Sequence, residues 1–149
     1  MKRRIRICTL LACLILAGGV FGLSLRGTPF EKRFCLEGRP ERIILICRSN
    51  SGPDQRMELT GKELEAWRRE LASWRVREAE TTDVPITSVK GREVLARVWY
   101  PEREIVIRFQ NNDGLISVVL DAEEAPEEPC VVTNWRRGNR ENILGALGR

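Results

Sequence analysis

The chain has 149 residues, of which 31% are charged and 42% are hydrophobic, with five cysteines and no histidine. This length suits one compact domain, and the lack of histidine excludes Ser/His and Cys/His nucleophile pairs and histidine-ligated metal sites. The net charge of +4 resides in Lys2, Arg3, Arg4 and Arg6, because the other 21 of the 25 basic residues balance the 21 acidic ones. The rest of the chain has no net charge and so no excess of basic residues to bind a polyanion, and we expect no nucleic-acid partner.

The N-terminus carries the clearest signal for location. Residues 7–25 form an uncharged run that ends at Arg26, and as a helix this run would be about 28 Å long, close to the thickness of a bilayer core. We interpret residues 1–25 either as a cleaved signal peptide or as an uncleaved signal-anchor transmembrane helix that contacts the membrane through residues 7–25. The basic residues before the run favour a cytoplasmic N-terminus and an external body. The protein is therefore predicted to be single-pass in the cell membrane or secreted after cleavage.

Residues 26–41 are predicted to be a linker, because Gly27, Pro29, Gly38 and Pro40 interrupt them and charges fill the gaps. Residues 42–149 are predicted to form a single extracytoplasmic α+β domain. Its first element is a strand over residues 43–47, a short apolar run rich in β-branched residues that is typical of a strand covered on both faces.

An amphipathic helix is predicted next. Thr60 and Glu63 have the spacing of a capping box, and Leu59 and Leu64 have the spacing of a hydrophobic staple. Apolar residues then recur at helical spacing and form one stripe. The stripe consists of Leu64, Trp67, Leu71 and Trp74. We expect a helix of about 14 to 16 residues whose stripe covers a sheet.

The remainder of the sequence favours an antiparallel meander of three to four strands. Alternating or continuous apolar patterns predict strands over residues 93–100, 104–109, 115–120 and 130–135. Residues 111–114 end in Asp-Gly, which is typical of a tight hairpin turn. Asn139 is positioned to cap a short C-terminal helix over residues 140–147. The predicted fold class is therefore α+β, with an N-terminal apolar helix, one strand, an amphipathic helix, this meander and a short terminal helix.

Three cysteines lie beyond the apolar run: Cys35, Cys47 and Cys130. In an oxidising compartment one disulfide among them is expected, with the pairing open; the alternative is three free thiols. Three scattered cysteines without histidine or a Cys-x-x-Cys pair do not resemble a metal site. We expect neither a metal nor a cofactor.

The candidate binding residues are tryptophans with neighbouring arginines, the residue types that dominate interface hot spots. Trp99 shares a strand face with Arg97, and Trp135 precedes Arg136 and Arg137. The alternative is that both tryptophans cover a second apolar layer. The acidic stretch from Asp121 to Glu128 is interpreted as a solvated loop, and no carboxylate pair stands out as catalytic.

These observations predict a small, non-catalytic, exported or membrane-anchored domain that binds a protein or peptide partner outside the cytoplasm. Two alternatives stay open. One is a structural accessory subunit of a membrane complex, since Gly18, Gly19 and Gly22 offer small residues for helix packing within the apolar run. The other is a small secreted hydrolase that uses carboxylates from separate loops.

Overall fold

A computed structural model describes residues 27–48, 52–80, 93–110, 114–121 and 126–135. Two helices and eight strands account for most of them. In chain order they are β1 (Thr28–Pro29), α1 (Phe30–Arg33), β2 (Arg42–Arg48), β3 (Gln55–Glu58), α2 (Gly61–Ser73), β4 (Arg75–Glu78), β5 (Glu93–Tyr100), β6 (Arg103–Phe109), β7 (Leu115–Leu120) and β8 (Glu128–Val132).

The eight strands form one antiparallel sheet in the order β1-β4-β8-β7-β6-β5-β2-β3. The strands β5, β6, β7 and β8 follow one another both along the chain and across the sheet, as short connections favour. The strand β2 joins this meander by pairing with β5, and β3 folds back onto β2. The short strands β1 and β3 therefore lie at the two edges of the described sheet.

One face of the sheet holds the main core. Side chains alternate between faces along a strand, so in β5 the residues Val94, Ala96 and Val98 point into the core, where each is 0% exposed. Ile105 and Ile107 continue the same face on β6. The predicted strands in the β5–β7 part of the meander are confirmed, with bounds within one residue of those expected.

The predicted amphipathic helix is confirmed as α2, and its stripe packs on this core face. Leu71 and Trp74 are buried, while Leu64 and Trp67 are partly buried against the same cluster. Thr60 is the N-cap residue, but its side chain makes no capping hydrogen bond. The predicted capping box is therefore not closed, and burial of the stripe holds the helix in place.

The segment that was expected to be a linker belongs to the domain. Phe30 is 0% exposed, and its ring meets that of Trp74 edge-on at a centroid distance of 5.6 Å. The Phe30 N–H also donates to the Trp74 carbonyl at 2.9 Å, and β1 pairs with β4. Phe34 and Leu36 are buried in the same cluster. The sequence does not predict this burial, because the buried residues of this charged, Gly- and Pro-containing stretch recur at neither strand nor helix spacing.

The predicted fold class is wrong in its sheet. The sequence predicts one strand and a meander of three to four strands, whereas the described sheet has eight strands. The strands that the sequence does not predict are β1, β3 and β4. In the described part of the chain, no helix is long and apolar enough to cross a membrane. The run at residues 7–25, the turn residues 111–113 and the predicted terminal helix at 140–147 lie outside the described residues.

Candidate binding surface

Trp99 and Arg97 lie on the sheet face opposite α2. The register sets Trp99 of β5 between Arg42 of β2 and Glu104 of β6, and it sets Arg97 beside Ile44. The Arg42 guanidinium carbon is 5.1 Å from the Trp99 ring centroid, and that of Arg97 is 5.2 Å away. Both distances are within the range of cation–π attraction. The predicted pairing of Trp99 with Arg97 on one strand face is confirmed, and Arg42 joins them.

Glu58 on the edge strand β3 fixes the position of Arg42. The Arg42 Nε and Nη2 groups donate to the two Glu58 carboxylate oxygens at 2.8 and 2.9 Å, which is a bidentate pair. These hydrogen bonds lower the pKa of the Glu58 carboxyl and raise the pKa of Arg42. Both side chains are about half exposed, so solvent screens the pair and its contribution to stability is small. Its effect is chiefly on the geometry of the arginine.

Glu104 fixes the second arginine in the same way. The Arg97 Nε donates to Glu104 Oε1 at 2.5 Å, and the Glu104 side chain is only 19% exposed. We call the group of Arg42, Glu58, Arg97, Trp99 and Glu104 the Trp99 surface. Its arginines are already held by carboxylates and by the indole ring, so less side-chain freedom remains to be lost when another molecule binds.

Trp135 lies elsewhere. Its ring centroid is 5.6 Å from that of Trp74 and 6.1 Å from that of Phe109, so it packs on the core side of the sheet. Gly114 has φ +89°, and a Cβ built there would lie 2.7 Å from the Trp135 Cβ, which shows how closely the chain approaches the ring. The structure therefore does not bring Trp135 together with Trp99. Arg136 and Arg137 lie outside the described residues.

A second polar network occupies the other end of the same face. Arg108 donates to Glu127 and also lies 3.6 Å from Glu93. The buried Ser117 hydroxyl donates to Glu127 at 3.1 Å and accepts from the Gln110 amide at 3.1 Å. These contacts join β6 and β7 to the segment that precedes β8.

The three thiols of the described residues are free. Cys35 is exposed, whereas Cys47 on β2 and Cys130 on β8 are buried. Four strand spacings separate β2 from β8, about 19 Å along the sheet, whereas a disulfide brings the two Cα atoms within about 7 Å. The disulfide that the sequence allowed among these cysteines is not formed, and a bridge between Cys47 and Cys130 does not fit the fold.

A small cavity of about 110 Å³ lies beside the β5–β6 turn. Its walls include Tyr100, whose hydroxyl is buried without a hydrogen-bond partner in the described part of the chain, and Arg103, which donates to the Phe34 carbonyl at 3.3 Å. Burial, together with the nearby Glu31 carboxylate, raises the pKa of Tyr100. The volume is well below the several hundred cubic ångströms of typical ligand pockets, so this cavity is too small for such a ligand.

Comparison with protein-family models, with curated proteins and with solved structures finds no match for this chain. Strand alternation in the sequence places Trp99 and Arg97 on one face but does not indicate Arg42, Glu58 or Glu104. Arg42 and Glu58 lie in strands that are distant in sequence, and only the pairing register brings them to the indole ring.

Proposed function

We propose that this protein is an exported or membrane-anchored domain that binds a protein or peptide partner outside the cytoplasm through the Trp99 surface. The observation that carries the proposal is the position of Trp99, on the sheet face opposite the helix and within about 5 Å of two guanidinium groups. Tryptophan and arginine are the residue types most enriched among the residues that dominate binding energy at interfaces.

The arrangement of the arginines supports the same proposal. A guanidinium has five N–H donors, and a carboxylate occupies two of them at most. Arg42 uses its Nε and one terminal nitrogen on Glu58, which leaves the other donors for a partner's carboxylate or main-chain carbonyl groups. A rigid aromatic ring flanked by partly satisfied donors resembles the centre of an interface, where an apolar anchor is combined with directed hydrogen bonds.

Photocrosslinking tests this function. Val106 lies directly across from Arg97 on β6, on the same face and half-buried, so benzoylphenylalanine at this position would react with whatever covers the Trp99 surface. Arg69, exposed on α2, supplies the matched control position. In the native cells we expect an adduct from position 106 that position 69 does not give. Trp99→Ser should abolish the adduct, and Trp99→Phe should retain part of it because the ring is kept.

Two results would contradict the proposal. One is the absence of an adduct from position 106 above the level at position 69. The other is an adduct that persists undiminished in a Trp99→Ser chain whose circular dichroism spectrum shows that it is folded.

The proposed location depends on the basic residues and the uncharged run before Arg26. Intact mass spectrometry of the protein from membrane and soluble fractions, after alkylation without reduction, tests it. A full-length chain in the membrane supports an anchor, and an external chain shorter by about 22 to 24 residues supports a cleaved leader. A full-length chain in the cytosol would contradict both.

A further inference from the structure

The outer edge of β3 pairs with no other strand in the part of the chain that the structure describes. Among the described strands β3 pairs only with β2, and it is four residues long. The Leu59 N–H donates to the Ile43 carbonyl at 2.9 Å. Because backbone groups alternate in direction along an antiparallel pair, Met57 also turns its N–H and C=O toward β2. Arg56 and Glu58 therefore turn theirs away from the sheet.

The side chains of this edge have a symmetrical order. Arg56 and Glu58 lie on the same face as Trp99, and Met57 lies between them on the core face, where it is partly buried. Consider two β3 strands that run antiparallel about a two-fold axis at Met57. In that register each Arg56 stands opposite the Glu58 of the partner subunit, and the two Met57 side chains meet.

The backbone fits the same register. Arg56 and Glu58 are the residues whose N–H and C=O groups point outward, and in this register they face each other. Each Arg56–Glu58 pair can then exchange two backbone hydrogen bonds, which gives four across the interface. A register shifted by one residue would place inward-facing groups opposite outward-facing ones and would lose these bonds.

We propose that this chain forms a symmetric dimer by antiparallel pairing of β3 with β3 of a second copy, centred on Met57. Charge complementarity indicates that the molecule paired with this edge is a second copy of the chain. Under two-fold symmetry the order Arg-Met-Glu places each arginine opposite a glutamate of the other copy. Arg56 has no ion-pair partner among the described residues, whereas Glu58 is held in place by Arg42. An exposed guanidinium of one subunit thus meets a positioned carboxylate of the other.

The dimer is expected to be weak and dependent on concentration. Four paired residues on each side bury less than the roughly 1,200 Å² that is typical of stable interfaces. Short, charged edge strands also protect proteins against unwanted pairing. If these charges serve only to prevent pairing of the edge, the protein will be monomeric.

Disulfide crosslinking tests the register. In this dimer the two copies of position 57 form a non-hydrogen-bonded pair with Cα atoms about 4.5 Å apart, which suits a disulfide. Met57→Cys, in a full-length chain carrying Cys35→Ser, should give a crosslinked dimer in the native cells under mild oxidation. Asp54→Cys in the same background is the matched control, since its two copies would lie roughly 20 Å apart. Equal crosslinking at both positions, or none at position 57, would overturn the proposal.

Charge exchange tests the complementarity in the same Met57→Cys chain. Arg56→Glu gives carboxylates at both positions of the edge, and Glu58→Arg gives guanidinium groups at both, so either chain alone should crosslink at least about tenfold less. Co-expressed with different tags, the two variants should recover the crosslink as a mixed dimer. Failure of the mixture to recover it, or undiminished crosslinking of Arg56→Glu alone, would show that these charges do not pair across a dimer.

Discussion

Burial of the Cys130 thiol should make the protein lose stability in alkaline solution. The side chain is 2% exposed, and burial raises its pKa to about 12. In the unfolded chain the thiol ionises near its ordinary pKa, so above pH 9 the unfolded state releases a proton that the folded state retains. Stability therefore falls as pH rises through this window, and the loss between pH 8 and pH 10 amounts to about 1–2 kcal/mol.

Urea unfolding at pH 8 and pH 10 under reducing conditions, followed by tryptophan fluorescence, measures this loss. Cys130→Ala removes the titrating group, and the packing that it loses costs the same at both pH values. We expect the wild type to lose about 1–2 kcal/mol more than Cys130→Ala between the two conditions. Cys35→Ala is the matched control: it removes an exposed thiol and leaves Cys130 in place, so it should keep the pH-dependent loss. Equal losses in the wild type and Cys130→Ala would refute the reasoning.

Three further predictions concern packing and are measured by urea unfolding at neutral pH. Phe30→Ala should lower the free energy of unfolding by about 3–5 kcal/mol, because this ring belongs to the core. A decrease below about 1 kcal/mol would be expected if Phe30 were a linker residue. Trp135→Ser should cost about 3 kcal/mol and Trp99→Ser about 1 kcal/mol or less, and the reverse order would contradict their assigned faces. Gly114→Ala should cost about 1–3 kcal/mol because of its positive φ and its contact with Trp135, whereas Gly52→Ala, in open space, should stay within about 0.5 kcal/mol.

The sequence predicts those elements whose own residues carry a period. The alternation from Glu93 to Tyr100 and the stripe of α2 each require burial of one face, and both elements form where expected. The strands β3 and β4, with sequences QRME and RVRE, contain too few apolar residues to show alternation. They form strands because β3 pairs with β2 and β4 pairs with β8. Pairing between segments that are distant in sequence cannot be predicted from a local pattern.

The same distinction applies to the candidate site. Strand alternation is sufficient to place Arg97 and Trp99 on one face. The contribution of Arg42 depends on the register between β2 and β5, which are separated by more than 40 residues of sequence. Trp135 follows a strand-like pattern that does not indicate a face, so its contact with Trp74 could only be seen in three dimensions.

The position of β1 determines how far an anchored form of this protein can reach. Thr28 begins the sheet three residues after Leu25, where the uncharged run ends, and three extended residues span only about 10 Å. If residues 7–25 are the proposed anchor, the β1 edge would lie within about 10 Å of the end of the uncharged run. The β3 edge lies seven strand spacings away, about 33 Å along the sheet. Under the proposed anchor, inserting residues at position 26 would lengthen this short connection and would let the domain move farther from the bilayer.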